Sequence, residues 1–494
     1  MKTCKLTLLD EVNCKFEGLD PSIRQKMIRA TEYVLPYAKF TPAGRIGRWD
    51  GKVQFMNLGG TTYYHMLDKL LPILDEAKID IELVDHRVDY GFKFDPIDED
   101  IFSDVVFGAG HHMEGKSIKL REHQVNAVNA CLANPHGLLL AATGAGKTLI
   151  TAALSKKVQE YGRSVIIVPS TDLVQQTYDD YIMCGLDTGM FYGSQKDFGH
   201  QHTITTWQSF NSLWKKTKKG EIELTEQDVN DFIDGVVCVI VDECQGAGGD
   251  ALVQVLSKVM NNVPLRWGLT GTIPKDPVVA AKIKCNVGDV IFKITAKELQ
   301  DKQILSTCNV NCIKLKSSMK FASYAEELKY LVTDRDRMAY VASLISALSE
   351  SGNTLVLVDR LEAGELLCEF LGIPKSEFVR GETKKKDRES SYGEIRWADN
   401  KILIATYGVA STGISISRLY NVVLIEPGKS FVRTIQSIGR GLRRAEDKDH
   451  VEIYDISGSN KYSAKHLRER LAYYKEAQYP HSIIDVKDWE NTAG

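Results

Sequence analysis

Residues 137–150 read G-L-L-L-A-A-T-G-A-G-K-T-L-I, and this stretch decides the fold. A short apolar run passes into a glycine loop, and the loop passes into a segment of helical spacing. That is the strand, loop and helix context in which backbone N–H groups and a helix N-terminus together favour a phosphate. Gly144 and Gly146 remove Cβ atoms where the backbone must approach an anion closely. Lys147 can reach terminal phosphates and Thr148 can hold Mg²⁺, so Ala141, Ala142, Thr143, Gly144, Ala145, Gly146, Lys147 and Thr148 are candidate nucleotide contacts. The strict form of this loop begins with Gly, where this chain has Ala141.

Outward from the loop, apolar runs alternate with helical segments. Gly137–Ala142, Ser164–Val168, Thr203–Thr205, Val236–Val241 and Arg266–Leu269 form one set. Thr354–Val358, Lys401–Ala405, Asn421–Ile425 and Val451–Tyr454 form a second. Short, wholly apolar strands separated by helices indicate buried parallel sheets, so the chain is expected to hold two α/β lobes in tandem. Residues 1–95 read as a small α+β unit: strands at Lys5–Leu9, Lys52–Leu58 and Asp80–Val84, and helices at Ser22–Tyr37 and Tyr63–Ala77. The acidic Asp95–Asp100 stretch with Pro96 marks a boundary. The expected organisation is 1–95, a first lobe at 110–300, a second at 305–458 and a short helical tail at 459–494.

The run V-C-V-I-V-D-E-C-Q at 237–245 puts two carboxylates at a strand end, where parallel sheets bind ligands. Asp242 suits the Mg²⁺ shell, and Glu243 suits a general base that polarises water. The small hydroxyl residues of Leu269-Thr270-Gly271-Thr272, at another strand end, can bond to this acidic loop. In the second lobe, Q-S-I-G-R-G-L-R-R at 436–444 spaces Arg440 and Arg443 three apart, so both can face one way. Planar, permanently charged guanidinium groups suit the charge that develops on a transferred phosphoryl group. Arg444 is a reserve or a surface charge.

Bulk composition bounds the alternatives. With 62 basic and 65 acidic residues the net charge is −3, so a polyanion site would be a local groove. Ten cysteines carry no C-x-x-C pair, which favours free thiols in a reducing compartment over structural zinc. The N-terminus lacks a signal peptide pattern and no apolar run has membrane-span length, so a soluble, cytoplasmic protein is expected. Arg45, Arg48 and Lys52 surround Trp49. That cluster could contact phosphates and wedge at a junction, or Trp49 could pack beneath a hairpin with the cations exposed. The Lys215–Lys219 run reads as a solvated loop.

Taken in order, residues 119–455 resemble the superfamily 2 helicases. Arg121 and Gln124 in K-L-R-E-H-Q resemble the adenine-reading element, and A-A-T-G-A-G-K-T resembles motif I in a form that accommodates Ala141. V-P-S-T-D-L-V-Q-Q at 168–176, T-W-Q-S at 206–209, D-E-C-Q, T-G-T, L-V-L-V-D-R at 355–360, G-E-T with Arg388, I-A-T-Y-G-V-A-S-T-G-I-S at 404–415 and Q-S-I-G-R-G-L-R resemble the motifs that follow. One departure is Gln245 where the family commonly has His; glutamine can bond but cannot titrate. The resemblance implies two RecA-like lobes that use ATP and Mg²⁺. It implies catalytic roles for Lys147, Asp242, Glu243, Gln245, Arg440 and Arg443, and nucleotide contacts that include Gly413. It further implies backbone contacts to nucleic acid from Thr171, Thr206, Trp207, Gln208, Ser209, Arg360 and Thr406, with Trp207 able either to stack on a base or to pack inward. G-R-I-G-R-W-D-G-K-V at 44–53 resembles the N-terminal segment of the UvsW-type helicases of bacteriophages. That similarity implies a DNA helicase that remodels forks, migrates branches and anneals strands, working in the host cytoplasm if the source is a phage. Other readings are an ATP-gated junction clamp, an RNA helicase and a translocating restriction-type subunit.

Overall fold

A computed structural model describes residues 2–35, 37–107, 115–193, 195–197, 199–212, 226–245, 250–383, 385–411, 418–428, 439, 442, 447–487 and 489. The chain divides into two compact units, residues 1–141 with 146–293 and residues 142–145 with 294–494.

The first unit contains two main sheets and a two-stranded one. The smaller main sheet is built from β1 (Lys2–Leu8), β2 (Asn13–Glu17), β5 (Thr61–Tyr63) and β6 (Ile79–Asp85) in the order β5-β2-β1-β6. β3 (Glu32–Val34) and β4 (Lys52–Gln54) make a separate antiparallel pair. The helix expected at Ser22–Tyr37 is Pro21–Ala30. It stops because Thr31 turns its hydroxyl back onto the Met27 and Ile28 carbonyls and the chain then pairs as β3. The helix expected from Tyr63 begins at Leu67, because Thr61–Tyr63 is taken by pairing with β2. The strand expected over Lys52–Leu58 keeps only Lys52–Gln54.

The larger sheet of this unit runs β10-β9-β11-β8-β12-β13-β7-β14. Its strands are β7 (His136–Ala141), β8 (Arg163–Val168), β9 (Thr188–Tyr192), β10 (Gln195–Lys196), β11 (His202–Thr206), β12 (Val236–Val241), β13 (Leu265–Thr270) and β14 (Val290–Ile294). The six strands from β9 to β7 pair in parallel, and all six residues of β12 are buried, as a sheet covered on both faces requires.

The two main sheets of this unit are not independent. Val278, Ala281 and Cys285, from the helix Pro277–Val287, belong to the same apolar cluster as Leu6, Phe16 and Leu70 of the N-terminal region. Polar contacts reinforce the join: the Asn261 amide donates to Asp10 at 2.7 Å, His65 Nε2 meets His136 Nδ1 at 2.9 Å, and Lys284 pairs with Asp68 at 2.5 Å. The boundary-like acidic stretch therefore joins parts that share a core.

The second unit holds one parallel sheet, β17-β16-β18-β19-β15-β20. Its strands are β15 (Thr307–Leu315), β16 (Thr354–Val358), β17 (Ile402–Thr406), β18 (Asn421–Ile425), β19 (His450–Gly458) and β20 (His481–Val486). The C-terminal segment contributes more than the expected helix. Lys461–Glu476 is helical, and β20 then adds an edge strand against β15. With one parallel sheet in this unit and a larger one in the first, the fold is two tandem RecA-like α/β lobes preceded by a small α+β region.

All ten cysteines are free and buried. Among the described residues no helix is long and apolar enough to cross a membrane.

Candidate functional site

The phosphate loop leaves β7 at Ala141 and enters the helix Lys147–Val158. Gly144 and Gly146 adopt φ of +89° and +79°, a region that side chains with a Cβ rarely occupy. A Cβ on Gly146 would lie 2.2 Å from the Gln124 amide nitrogen, so only glycine lets the loop pass this side chain. Gln124 is itself buried and fixed, because its amide oxygen accepts the Arg121 N–H at 2.8 Å. Gln124 and the loop, apart in sequence, are thus brought together. The loop is held by the Ala142 N–H on the Ile294 carbonyl at 3.1 Å and by the Ala145 N–H on the Ala142 carbonyl at 3.1 Å. Thr148 is the second residue of the helix and half-buried.

The acidic pair follows β12. The Asp242 N–H is held by the Ile167 carbonyl of neighbouring β8 at 2.9 Å, and its carboxylate accepts the Glu243 N–H at 2.8 Å. Glu243 sits at φ +49°, an unusual conformation for a residue with a side chain. This turn points its carboxylate at Lys147, which donates directly to Oε1 and lies 4.0 Å from Asp242. Gln245 Nε2 donates to the other oxygen of Glu243 at 2.6 Å, and its amide oxygen accepts the Thr270 hydroxyl. Thr270 also accepts the Thr272 N–H at 3.1 Å. One unbroken chain of bonds therefore joins the phosphate-loop lysine, the candidate base, the glutamine that replaces histidine and the end of β13. The residue pattern alone does not reveal the positive φ of Glu243, nor that a glutamine amide, with one donor end and one acceptor end, is the group this bridge needs.

The candidate nucleic-acid residues gather at the same kind of place. Thr206 ends β11 and pairs in register with Val168, the end of β8; Thr171 follows as the exposed first residue of the helix Thr171–Met183. The Thr206 hydroxyl lies 2.8 Å from that of Ser209 and accepts the Ser209 N–H at 3.2 Å, while Gln208 is exposed. Trp207 is half-buried and packs against the core cluster that contains Phe191 and Phe232. Ser170, which caps this helix through the Leu173 N–H, was readable in P-S-T-D as a helix start. In the second unit, Thr406 ends β17 in register with Val358 of β16, and the exposed Arg360 follows two residues later.

The N-terminal cations are not equivalent. Arg45 and Arg48 are exposed, whereas Lys52 pairs with Glu32 at 3.0 Å. Trp49 is half-buried and donates its indole N–H to the Lys52 carbonyl at 3.1 Å, bracing the turn. Arg440, Arg443, Arg444, Gly413 and the Lys215–Lys219 run lie outside the described residues.

Residues 117–275 match the family described as type III restriction enzyme, res subunit, and residues 336–445 match the helicase conserved C-terminal domain. The ATP-dependent DNA helicase uvsW of Enterobacteria phage T4 is 24% identical over 459 residues, which cover 88% of this chain and 87% of that one. The DNA 3'-5' helicase XPB of Mycobacterium tuberculosis is 22% identical over 393 residues, 76% of this chain and 67% of that one. The fold is shared with S. cerevisiae Dbp5 bound to RNA and ADP BeF3, at a TM-score of 0.53 and 17% identity, covering 76% of this chain and 92% of that one. A phosphate loop wired to a strand-end acidic pair, followed by a helicase C-terminal domain, leaves one reading: the chain is an ATP-dependent helicase of superfamily 2, resembling the UvsW helicases of bacteriophages.

Proposed function

We propose that the chain couples ATP hydrolysis to movement on branched DNA, remodelling forks, migrating junctions and annealing strands. The observation that carries this reading is the bonded chain Lys147–Glu243–Gln245–Thr270, which links the nucleotide loop to a strand end of the same sheet. Glycine geometry suits a polyphosphate. Among the described residues no group of three or more His, Cys, Asp and Glu side chains is placed to hold a metal by itself. Thr148 and Asp242 are the residues that would hold Mg²⁺ together with the phosphates of ATP. The ion would offset phosphate charge as it develops.

In the proposed cycle Lys147 exchanges its carboxylate partner for the β- and γ-phosphates. That exchange frees Glu243 to accept a proton from the attacking water. Gln245 carries the change in Glu243 to Thr270 without titrating. Arg440 and Arg443 stabilise charge on the transferred phosphoryl group. Thr171, Thr206, Gln208, Ser209, Arg360 and Thr406 supply hydroxyl, amide and guanidinium donors to the DNA backbone, which favours structure over sequence. Arg45 and Arg48 add charge at a junction. Residues 1–95 serve as the junction-contacting region, 110–300 and 305–458 as the motor lobes and 459–494 as a C-terminal support, in a protein of the cytoplasm.

The test is ATP turnover by the wild type and Lys147→Ala with a fork, a four-way junction, a linear duplex and an RNA duplex. Stimulation by branched DNA that Lys147→Ala abolishes is expected. Turnover that no nucleic acid stimulates would leave an ATP-gated clamp, and preference for the RNA duplex would make the substrate RNA.

A further inference from the structure

The C-terminal helix Lys461–Glu476 carries a side chain the helicase motifs do not include. Arg470 is fully buried, as among the described arginines only Arg266 and Arg337 also are. Its Nε and one Nη form a two-pronged pair with Asp455 of β19, at 2.7 and 2.8 Å. Tyr474 donates to the same carboxylate at 2.7 Å. The remaining guanidinium donors reach the Ser457 hydroxyl and the Gly428 carbonyl. Gly428 stands three residues beyond β18 and precedes Gln436–Arg444 in sequence.

A second buried set fixes the same stretch of chain two residues earlier. Glu426 adopts φ +41°. Its carboxylate accepts from Arg337 at 2.7 Å and from the Ser463 hydroxyl at 2.8 Å, and Ser463 belongs to the C-terminal helix. The N-terminus of that helix is pinned in turn, because Glu327 accepts the Ser463 and Tyr462 N–H groups at 2.6 and 3.0 Å. Farther along, Leu442, between Arg440 and Arg443 in sequence, is buried and its carbonyl accepts the Ser306 N–H at 2.7 Å.

Core stability alone does not call for this arrangement. Buried charges are costly, and apolar side chains of similar volume commonly fill such a space at least as well. What a guanidinium adds is a rigid fork that fixes a carboxylate and a backbone carbonyl at once. We infer that Arg470 is a positioning residue for ATP hydrolysis: braced by Asp455, it fixes the Gly428 backbone and so sets how the segment bearing Arg440 and Arg443 is presented. The inference rests on the role proposed above for those two arginines.

Arg470→Lys keeps the charge beside Asp455 and loses the fork. In the full-length protein it should lower kcat for DNA-stimulated ATP hydrolysis by about ten- to a hundredfold, the scale of a misplaced catalytic group. The KM for ATP and the affinity for DNA should stay within about twofold. Replacing the pair together, with Arg470→Leu and Asp455→Leu, restores an apolar core without the clamp and should show the same kcat loss if the single variant folds poorly. In the Arg440→Ala background, Arg470→Lys should add little, because both act through one group. A folded Arg470→Lys protein with normal kcat, or one whose kcat, KM and DNA affinity all fall with the folded fraction, overturns the inference while Arg440→Ala remains slow. If Arg440→Ala and Arg443→Ala both turn over normally, the proposed role of the arginines fails and the inference falls with it.

Discussion

Each lobe has a buried or half-buried polar network just beyond a strand end, and the two are built differently. In the first, Lys147, Asp242 and Glu243 keep 11%, 18% and 20% of their side chains exposed. In the second, Arg337, Glu426, Arg470 and Asp455 keep between 0% and 6%. Partners that retain some water can be exchanged at modest cost, whereas charges fully removed from water must keep their partners. The first network is suited to trade Glu243 for phosphate within a cycle. The second is suited to stay fixed and hold backbone in place. Both contain a residue with a side chain at positive φ, Glu243 and Glu426, each just beyond a strand end.

The contrast can be broken most forcefully at the chemistry. Arg440→Ala should slow DNA-stimulated ATP turnover by about 10³-fold or more, read as steady-state phosphate release. A change of less than about threefold would leave the second lobe without a catalytic arginine at that position.

On the structural side, Arg337→Leu strands Glu426 in the interior. It should cost about 3–5 kcal/mol in urea unfolding of the second lobe, far more than loss of an exposed pair such as Arg335–Glu369. Equal effects from the two would erase the distinction between fixed and exchangeable networks.

The join between the N-terminal region and the first lobe offers a third point. Burial, then the neighbouring His136, Arg266 and Lys284, pushes the His65 pKa down to about 3; burial lowers His136 as well, and pushes His202 down to about 4. The His65 and His202 rings stay neutral in the fold down to about those values, while the unfolded chain takes up protons near pH 6.5. Stability is therefore complete above about pH 6.5 and is lost as pH falls toward 4, by up to about 1.4 kcal/mol per pH unit for each ring. Thermal unfolding between pH 7.5 and 5 should show the fall, and His202→Asn should flatten part of it.

The smallest expected effect is Gln245→Ala. Breaking the bridge between Glu243 and Thr270 should reduce DNA stimulation of turnover by about two- to tenfold, the worth of a hydrogen bond. An unchanged stimulation ratio would remove Gln245 from the coupling path.

What was legible in the sequence tracks what is local. The phosphate loop, the acidic strand end and the apolar strands of both sheets carry their signal in a few consecutive residues, and β12 spans the expected Val236–Val241. Strands β9, β14, β15 and β20 were not expected. β20 is almost wholly exposed, Lys293 interrupts the short β14, β15 alternates buried with exposed positions in its first half, and the buried β9 opens on Thr188 and Gly189, so none reads as a wholly apolar run. The helix at Ser22–Tyr37 was drawn too long because the β3–β4 pairing that takes up the chain after Thr31 acts through contacts about twenty residues apart. Trp49 and Trp207 could not be placed by pattern, since an aromatic that braces a turn and one that meets a base look alike in sequence. Arg470 carried no signal at all: one arginine in a polar helix is ordinary until the fold brings Asp455 and Gly428 to it.

The most direct test of the account is Glu243→Gln. It keeps the size and leaves one acceptor oxygen for Lys147, but it sets an amide N–H against the Gln245 donor and removes both the negative charge and the ability to take a proton. The account predicts that ATP still binds within a few-fold of wild type, while single-turnover hydrolysis on forked DNA falls by about 10²–10⁴-fold. Hydrolysis at the wild-type rate, with binding intact, would contradict it.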